Sequence, residues 1–361
     1  MKTFQVIHCA ETIKGGIATY LRELLPLQLA ALGAGTIALV IPDSQAIELI
    51  LPEGIVLITF PDKRGRLGNS LSLALTINKI LREYSATNIH VHSTFAGASV
   101  RPLVKLLHRK INIVYCPHGW AWDRPMAKWK KTLTENVERF LSLFCHCIVC
   151  ISQHEKIQAE LAKISSRKLT VVLNGLSDTP LPNDKTTYIW PKNKRKLLFV
   201  GRLDHQKGVD IFCDAMRSLE HEASAILVGD YVLGDSAFLE FPSNIVHVGW
   251  LRPNELLKLY SAADILVVPS RWEGFGLVAI EAMRSGLPVI ASRVGGLSEV
   301  VQNNKTGLLI PPSNPQELVD AIRNLDYQTL LNMGKEGRLV FEQSFSIDRT
   351  HRQIMELYRS P

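Results

Sequence analysis

Glu273 and Glu281 belong to the segment PSRWEGFGLVAIEA, which begins at Pro269, and Gly274 and Gly276 lie between them. The apolar run at 265–268 reads as a strand and 278–285 as a helix, so this loop carries the chain from a strand end into a helix N-terminus. There the N–H groups of Phe275, Gly276, Leu277 and Val278 lack intrahelical acceptors and stand at the positive end of the helix dipole. That is the chemistry of a phosphate or diphosphate seat. The two acids could bracket a ligand, one at its reactive end and one at a hydroxylated handle. The alternative is that Glu281 faces solvent or caps a neighbour. Gly274 to Ala279 also fits the dinucleotide fingerprint G-x-G-x-x-A. Arg271, Trp272 and Glu273 intervene where that fingerprint needs a tight turn, and the following strand ends in Ser292-Arg293 rather than an acid for a ribose. Arg293 keeps a 2′-phosphate, and with it NADP, open.

Three other strand ends carry candidate chemistry. Arg202 and Lys207 flank the loop of FVGRLDHQKG, and two cations there would complete a diphosphate site, each contact contributing about 1.5–3 kcal/mol; a solvated surface pair is the alternative. Gly15 and Gly16 form a turn between the first strand and the first helix, either as a backbone anion seat or as turn geometry alone. His118, in CPHGW, closes the strand at 111–116, where a lone histidine is either ligand-facing or structural. His90 and His92 also end a strand, and their H-x-H spacing is read as placing them on opposite faces, against a metal pair. The chain contains no H-E-x-x-H, no D-x-D after a strand and no Walker A sequence.

These positions rest on an alternation of short apolar runs and helical periodicity. Strands are expected at 4–8, 35–41, 88–92, 111–116, 147–151 and 169–173, with helices at 19–32 and 71–84. The pattern restarts with strands at 196–200, 224–228, 245–248, 265–268 and 289–291 and helices at 209–219, 254–261 and 278–285. It closes with helices at 315–325, 327–345 and 347–358. Short buried strands alternating with helices mean parallel sheets covered on both faces. Residues 174–196 hold prolines and turn residues without periodicity and read as a linker. The expected fold class is α/β, with two doubly wound Rossmann-like domains facing across a cleft. The domains are 1–175 and 196–345, the linker is 176–195, and a terminal helix at 346–361 packs back on the first domain. Ligands bind beyond the carboxyl ends of such strands.

The 361 residues are 46% apolar and 21% charged, which excludes disordered, collagenous and coiled-coil classes. The net charge of +7 is uneven: residues 1–190 hold 22 Lys and Arg against 14 Asp and Glu, whereas 191–361 hold 19 against 20. Six cysteines are too few for a disulfide scaffold, and Cys147 and Cys150 read as buried thiols. The N-terminal apolar stretch is too short and polar for a signal peptide, and nothing approaches about 18 uninterrupted apolar residues, so a cytoplasmic location is expected.

In their order along the chain, KGGIATYL, VHSTFAG, PHGW, CISQHEK, VVLNGLS, FVGRLDHQKG, PSRWEGFGLVAIEAMRSGLPVIAS and GGLSEVV with NNKTGLLI resemble the retaining family 4 glycosyltransferases of the GT-B fold. The resemblance covers essentially the whole chain. It implies that Gly15 and Gly16 contact the donor diphosphate and that His118 lies beside the transferred sugar. Arg202 and Lys207 would neutralise the leaving nucleoside diphosphate, and Glu273 would bind sugar hydroxyls. Phe275, Gly276, Leu277 and Val278 would offer backbone contacts, and Glu281 would hold the ribose. No metal or other cofactor is implied, since the two cations and the helix terminus supply positive charge. The family's Gly-Asp-Gly is replaced here by Gly229-Asp230-Tyr231, a departure that bears on base or sugar choice.

The reaction expected is transfer of a sugar from a nucleotide-diphosphate donor, UDP-linked by preference over GDP-mannose, to an acceptor hydroxyl with retention. No residue is evidently a nucleophile for double displacement, so front-face departure and attack are favoured. The implied acceptor is a saccharide or lipid-linked saccharide of lipopolysaccharide, capsule or exopolysaccharide assembly, and nucleic acid is not an expected partner. An NADP oxidoreductase and a non-catalytic nucleotide-sugar-binding subunit are the alternatives. The basic surplus falls in runs 63–66, 101–110 and 124–131. Trp120, Trp122 and Trp129 interleave with the last, so residues 120–131 are expected to meet anionic membrane, a solvated helix face being the alternative.

Overall fold

Short, almost wholly apolar runs become strands buried on both faces, and the amphipathic segments between them become the helices that cover those faces. In the computed structural model, which describes residues 3–63, 65–180, 188, 190, 191, 193–231 and 240–359, the chain divides into two units, Met1–Ser177 with Ile347–Pro361, and Asp178–Ser346. Of the linker expected at 176–195, residues 181–187, 189 and 192 lie outside the described residues.

The first unit runs β1 (Thr3–Ala10), α1 (Gly16–Leu32), β2 (Ile37–Pro42), β3 (Val56–Phe60), α2 (Gly65–Glu83), β4 (Ser85–His92), α3 (Thr94–Leu107), β5 (Asn112–Cys116), α4 (Lys128–Leu141), β6 (Cys147–Cys150), α5 (Gln153–Leu161) and β7 (Leu169–Val171). Its seven strands pair in parallel in the order β3-β2-β1-β4-β5-β6-β7. The order reverses between β1 and β4, which is where doubly wound sheets open a ligand crevice.

The second unit runs β8 (Arg195–Val200), α6 (Val209–Ser218), β9 (Ala223–Val228), β10 (Ile245–His247), α7 (Pro253–Ala262), β11 (Ile265–Val268), α8 (Leu277–Arg284), β12 (Val289–Ser292), α9 (Leu297–Val300), β13 (Gly307–Ile310), α10 (Pro315–Asn324) and α11 (Tyr327–Ser344). Six parallel strands lie in the order β10-β9-β8-β11-β12-β13, with the reversal between β8 and β11. The last helix, α12 (Ile347–Arg359), packs against α1 in the first unit. It buries Ile347, Thr350, Ile354, Met355 and Tyr358, one face of a helix. Thr350 Oγ1 donates to Leu173 O at 2.7 Å and Asn112 Nδ2 donates to Leu357 O at 3.0 Å.

Edge strands β3 and β13 and helices α3, α4, α5 and α9 are absent from the sequence-based expectation, and α2 begins six residues before it. All six cysteines are free thiols, five of them buried.

Candidate active site

In the second unit, β8 and β11 are neighbours at the sheet's reversal point, so the loops leaving them meet. Lys207 Nζ donates to Glu273 Oε2 in an ion pair, and Ser270 Oγ lies 3.4 Å from the same oxygen. Arg202 Nη2 reaches Gln206 Oε1 at 2.8 Å and Asp204 Oδ2 at 3.0 Å. Gln206 in turn donates to Trp272 O at 3.2 Å and accepts from Arg271 N at 2.8 Å. Arg271 is taken by Asp210 through two contacts, 2.8 and 2.6 Å, and is a structural tie. Arg202, Lys207 and Glu273 are thus one cluster whose two cations face two carboxylates.

Residues 269–276 connect β11 to α8, longer than the tight turn of a dinucleotide fingerprint. Gly276 caps α8 at φ 100°, a conformation that favours glycine, and a Cβ there would stand 2.4 Å from Leu297 Cδ2. Ala279 N already donates to Gly276 O at 2.9 Å, which leaves the N–H groups of Leu277 and Val278 as first-turn donors. The Phe275 ring is buried against Phe345, centroids 5.9 Å apart, so only its backbone can serve a ligand. Glu281 Oε2 accepts from the buried Tyr260 hydroxyl at 2.7 Å; burial first, and then that carboxylate, push the phenol well above its ordinary pKa. Gly295 and Gly296 escaped the sequence reading as site residues. Gly296 N donates to Glu273 O at 3.1 Å, and a Cβ on Gly295 would lie 2.0 Å from that same oxygen. A Gly-Gly pair that follows the end of β12 after two intervening residues is the sequence signal for them.

In the first unit, Gly15 caps α1 at φ 80° with open space beside its Cα, and Gly16 is the helix's first residue rather than part of a turn. Just before it, buried Glu11 accepts from Ser93 Oγ, from Ala96 N at 3.2 Å and from Arg66 Nη2 at 2.9 Å. An acid at the carboxyl end of β1 was the missed signal.

His90 and His92 lie on one face of β4, not on opposite faces, because side chains two apart in a strand share a side. Their rings stack at 4.3 Å, and His8 of β1 joins them with ring nitrogens all within 4.8 Å. His8 Nε2 meets Gln28 Oε1 at 2.7 Å, His8 Nδ1 meets His92 Nε2 at 3.0 Å, and His92 Nδ1 meets His118 Nε2 at 2.9 Å. His118, just past β5, has φ 55°. Burial pushes His8 down to about 4, with the Gln28 contact opposing, and His118 down to about 3. Burial and then the neighbouring imidazoles hold His90 and His92 well below the ordinary histidine value.

Two members of the proposed membrane segment do not face outward. Trp120 and Trp122 are buried and stacked 4.5 Å apart with planes 9° from parallel, and Trp120 Nε1 donates to Glu155 O at 2.8 Å. Their large apolar rings complete the core beside Tyr115. In the run at 101–110, Arg101 is likewise no surface cation: it is buried and paired with Glu138 at 2.7 Å. Trp129 is exposed. Among the described residues, no helix is long and apolar enough to cross a membrane.

Two doubly wound parallel-sheet units with cationic and glycine-rich loops at their strand ends define the GT-B class of glycosyltransferases. The family described as Glycosyltransferase Family 4 matches residues 14–179, and that described as Glycosyl transferases group 1 matches residues 182–340. The chain is 35% identical over 331 residues to an uncharacterized 41.2 kDa protein in the cps region of Klebsiella pneumoniae, covering 87% of this chain and 88% of that one. It is 25% identical over 304 residues to the Escherichia coli UDP-Gal:alpha-D-GlcNAc-diphosphoundecaprenol alpha-1,3-galactosyltransferase, covering 79% and 78%. Anabaena HepE, solved with UDP-glucose, superposes with a TM-score of 0.82 at 22% identity over 99% of both chains. The protein belongs to glycosyltransferase family 4 and is a glycosyltransferase of the GT-B fold.

Proposed function

We propose that the enzyme transfers a hexosyl group from a UDP-sugar to a hydroxyl of a saccharide or lipid-linked saccharide, with retention at the anomeric carbon and without a metal ion. The observation that carries this reading is the Lys207–Glu273 pair at the reversal point of the second sheet, beside Arg202 and the α8 N-terminus. A donor diphosphate competes with Glu273 for Lys207 and draws on Arg202 and on the N–H groups of Leu277 and Val278. Glu273 is thereby released to accept sugar hydroxyls. As the sugar–oxygen bond breaks, these groups stabilise charge growing on the leaving diphosphate. Glu281, oriented by Tyr260, takes the ribose hydroxyls. Gly15 and Gly16 contact the diphosphate, and His118 meets the sugar.

The UDP preference draws support from the Escherichia coli relative, whose name carries UDP-Gal, and from HepE, a fold neighbour solved with UDP-glucose; polysaccharide assembly draws it from the Klebsiella and Escherichia coli relatives. A screen of UDP-glucose, UDP-galactose, GDP-mannose and NADP, read by released nucleotide and by calorimetry, tests the donor. Release of UDP in the presence of EDTA is expected, and binding of NADP alone overturns the reading. The anomeric coupling constant in the product's proton NMR spectrum tests retention.

Membrane contact fits α4 better than residues 120–131. Trp129, Leu133, Val137 and Phe140 are exposed and recur at the spacing of one helix face, with Lys128, Lys130 and Arg139 beside it. An acceptor carried on a lipid would be met at that surface.

A further inference from the structure

The cluster of His8, His90, His92 and His118 in the first unit contains more order than packing requires. The His8 and His92 rings are 7° from parallel with centroids 5.3 Å apart, while their facing nitrogens are 3.0 Å apart. The contact therefore runs edge to edge along the ring planes, the geometry of a hydrogen bond. The His92 and His118 rings repeat it, with nitrogens 2.9 Å apart and centroids 5.2 Å apart. Each of the two inner rings uses both nitrogens, one as donor and one as acceptor, so a single choice at one end sets every proton along the chain. Gln28 makes that choice. Its Oε1 accepts from His8 Nε2, while its Nε2 donates to the Tyr358 hydroxyl at 3.3 Å. His8 Nδ1 is then bare and accepts from His92 Nε2–H, and His92 Nδ1 is bare and accepts from His118 Nε2–H. The low pKa values of these rings keep all of them neutral near pH 7, so the ordering is not scrambled by protonation.

We propose that Gln28, His8 and His92 are positioning residues that hold His118 as its Nε2–H tautomer, so that its Nδ1 lone pair is an acceptor for a hydroxyl of the bound sugar beyond the end of β5. This rests on the donor-sugar role given to His118 above. Tyr20 packs edge-on against His92 and His118, with centroids 5.7 and 5.1 Å away, and braces the last two rings, whose planes are tilted 32° to each other. The competing use of the same side chains is a metal site of His8, His90 and His92. The His8 and His92 nitrogens nearest each other point at one another, so a metal there would have to break their hydrogen bond.

The test is 15N–1H long-range correlation spectroscopy of the full-length protein labelled with 15N-histidine, with His118 assigned through His118→Gln. The expected spectrum shows His118 protonated at Nε2 and bare at Nδ1, with Nδ1 shifting on addition of UDP-glucose. His118 protonated at Nδ1, a mixture of tautomers, or stoichiometric zinc with metal-shifted His8 and His92 nitrogens each overturns the proposal. Gln28→Leu should release the tautomer and lower kcat/KM by about tenfold, the loss of about one hydrogen bond. The tautomer is readable without turnover. Failure of the relay is thus distinguished from failure of the donor assignment, which leaves the His118 tautomer as expected but shows neither the Nδ1 shift nor UDP release.

Discussion

Lys207 and Glu273, 66 residues apart in the chain, are joined in an ion pair between the loops that leave β8 and β11. The pair holds both side chains at the sheet's reversal point. Lys207→Ala and Glu273→Ala should each lower kcat by about 10²–10³-fold, the scale of removing one transition-state-stabilising group. Initial rates of UDP release measure this. Near-native turnover by both variants would show that the site lies elsewhere.

The Glu273 backbone is set by a neighbour that offers no side chain. A Cβ at Gly295 would lie 2.0 Å from the Glu273 carbonyl oxygen, and φ there is 46°. Gly295→Ala should therefore cost about 1–3 kcal/mol of stability and weaken UDP binding by displacing the loop. Urea unfolding and calorimetry measure the two effects, and an unchanged urea midpoint is incompatible with the contact.

The sequence made the sheet architecture and the loops that carry Arg202, Lys207 and Glu273 legible, because buried parallel strands are apolar runs and the site residues follow them directly. It hid what depends on distant partners. Trp120 and Trp122 sit among cations, and only their stacking in the core separates them from Trp129 outside. The His90 and His92 spacing holds the period-two signal for a shared face, yet it was read with the wrong parity. His8, their third partner, comes from another strand. Helix α4 carries the 3.6-residue apolar period at Trp129, Leu133, Val137 and Phe140 although the expectation lacks it; what the sequence hid is an inversion, the apolar stripe facing outward and Glu138 and Leu141 forming the buried face.

The Arg101–Glu138 pair makes that inversion costly to disturb. Arg101 also lies over the Tyr115 ring at 3.8 Å, and the Tyr115 hydroxyl donates to Glu138 Oε1 at 3.1 Å. Arg101→Met leaves a buried carboxylate without its cation and should destabilise by about 3–5 kcal/mol, whereas Arg101→Met combined with Glu138→Met should recover much of the loss. Urea midpoints of the single and double variants decide it; equal loss in both would mean that packing, not charge, dominates.

Stability should also fall on the acid side of neutrality. His8 has a folded-state pKa of about 4 against 6.5 for the free group, so between those values the unfolded chain binds the additional proton. The stabilisation is complete above pH 6.5 and is lost as pH falls towards 4. His8 contributes a slope of at most about 1.4 kcal/mol per pH unit within that window. Urea midpoints from pH 7.5 to 5 should decline, and more shallowly in His8→Gln. A flat profile would mean that the relay is charged or open to water.

The exposed stripe of α4 supplies the last prediction. Trp129 and Phe140 on one face would each gain about 1.5–3 kcal/mol by entering an apolar phase, and Lys128, Lys130 and Arg139 would each add about 1 kcal/mol at an anionic surface. Neither contribution alone holds a protein of this size on a membrane, so binding should need both. Flotation with phosphatidylglycerol vesicles at low salt should carry the protein upward. Raising salt should release it, phosphatidylcholine vesicles should not bind it, and Trp129→Ser with Phe140→Ser should abolish flotation while leaving UDP release with a soluble acceptor intact. Because Trp120 and Trp122 are buried, their substitution should reduce stability instead. Flotation that survives the α4 double variant would place the membrane surface elsewhere, and the absence of salt-sensitive flotation in the unaltered protein would remove it altogether.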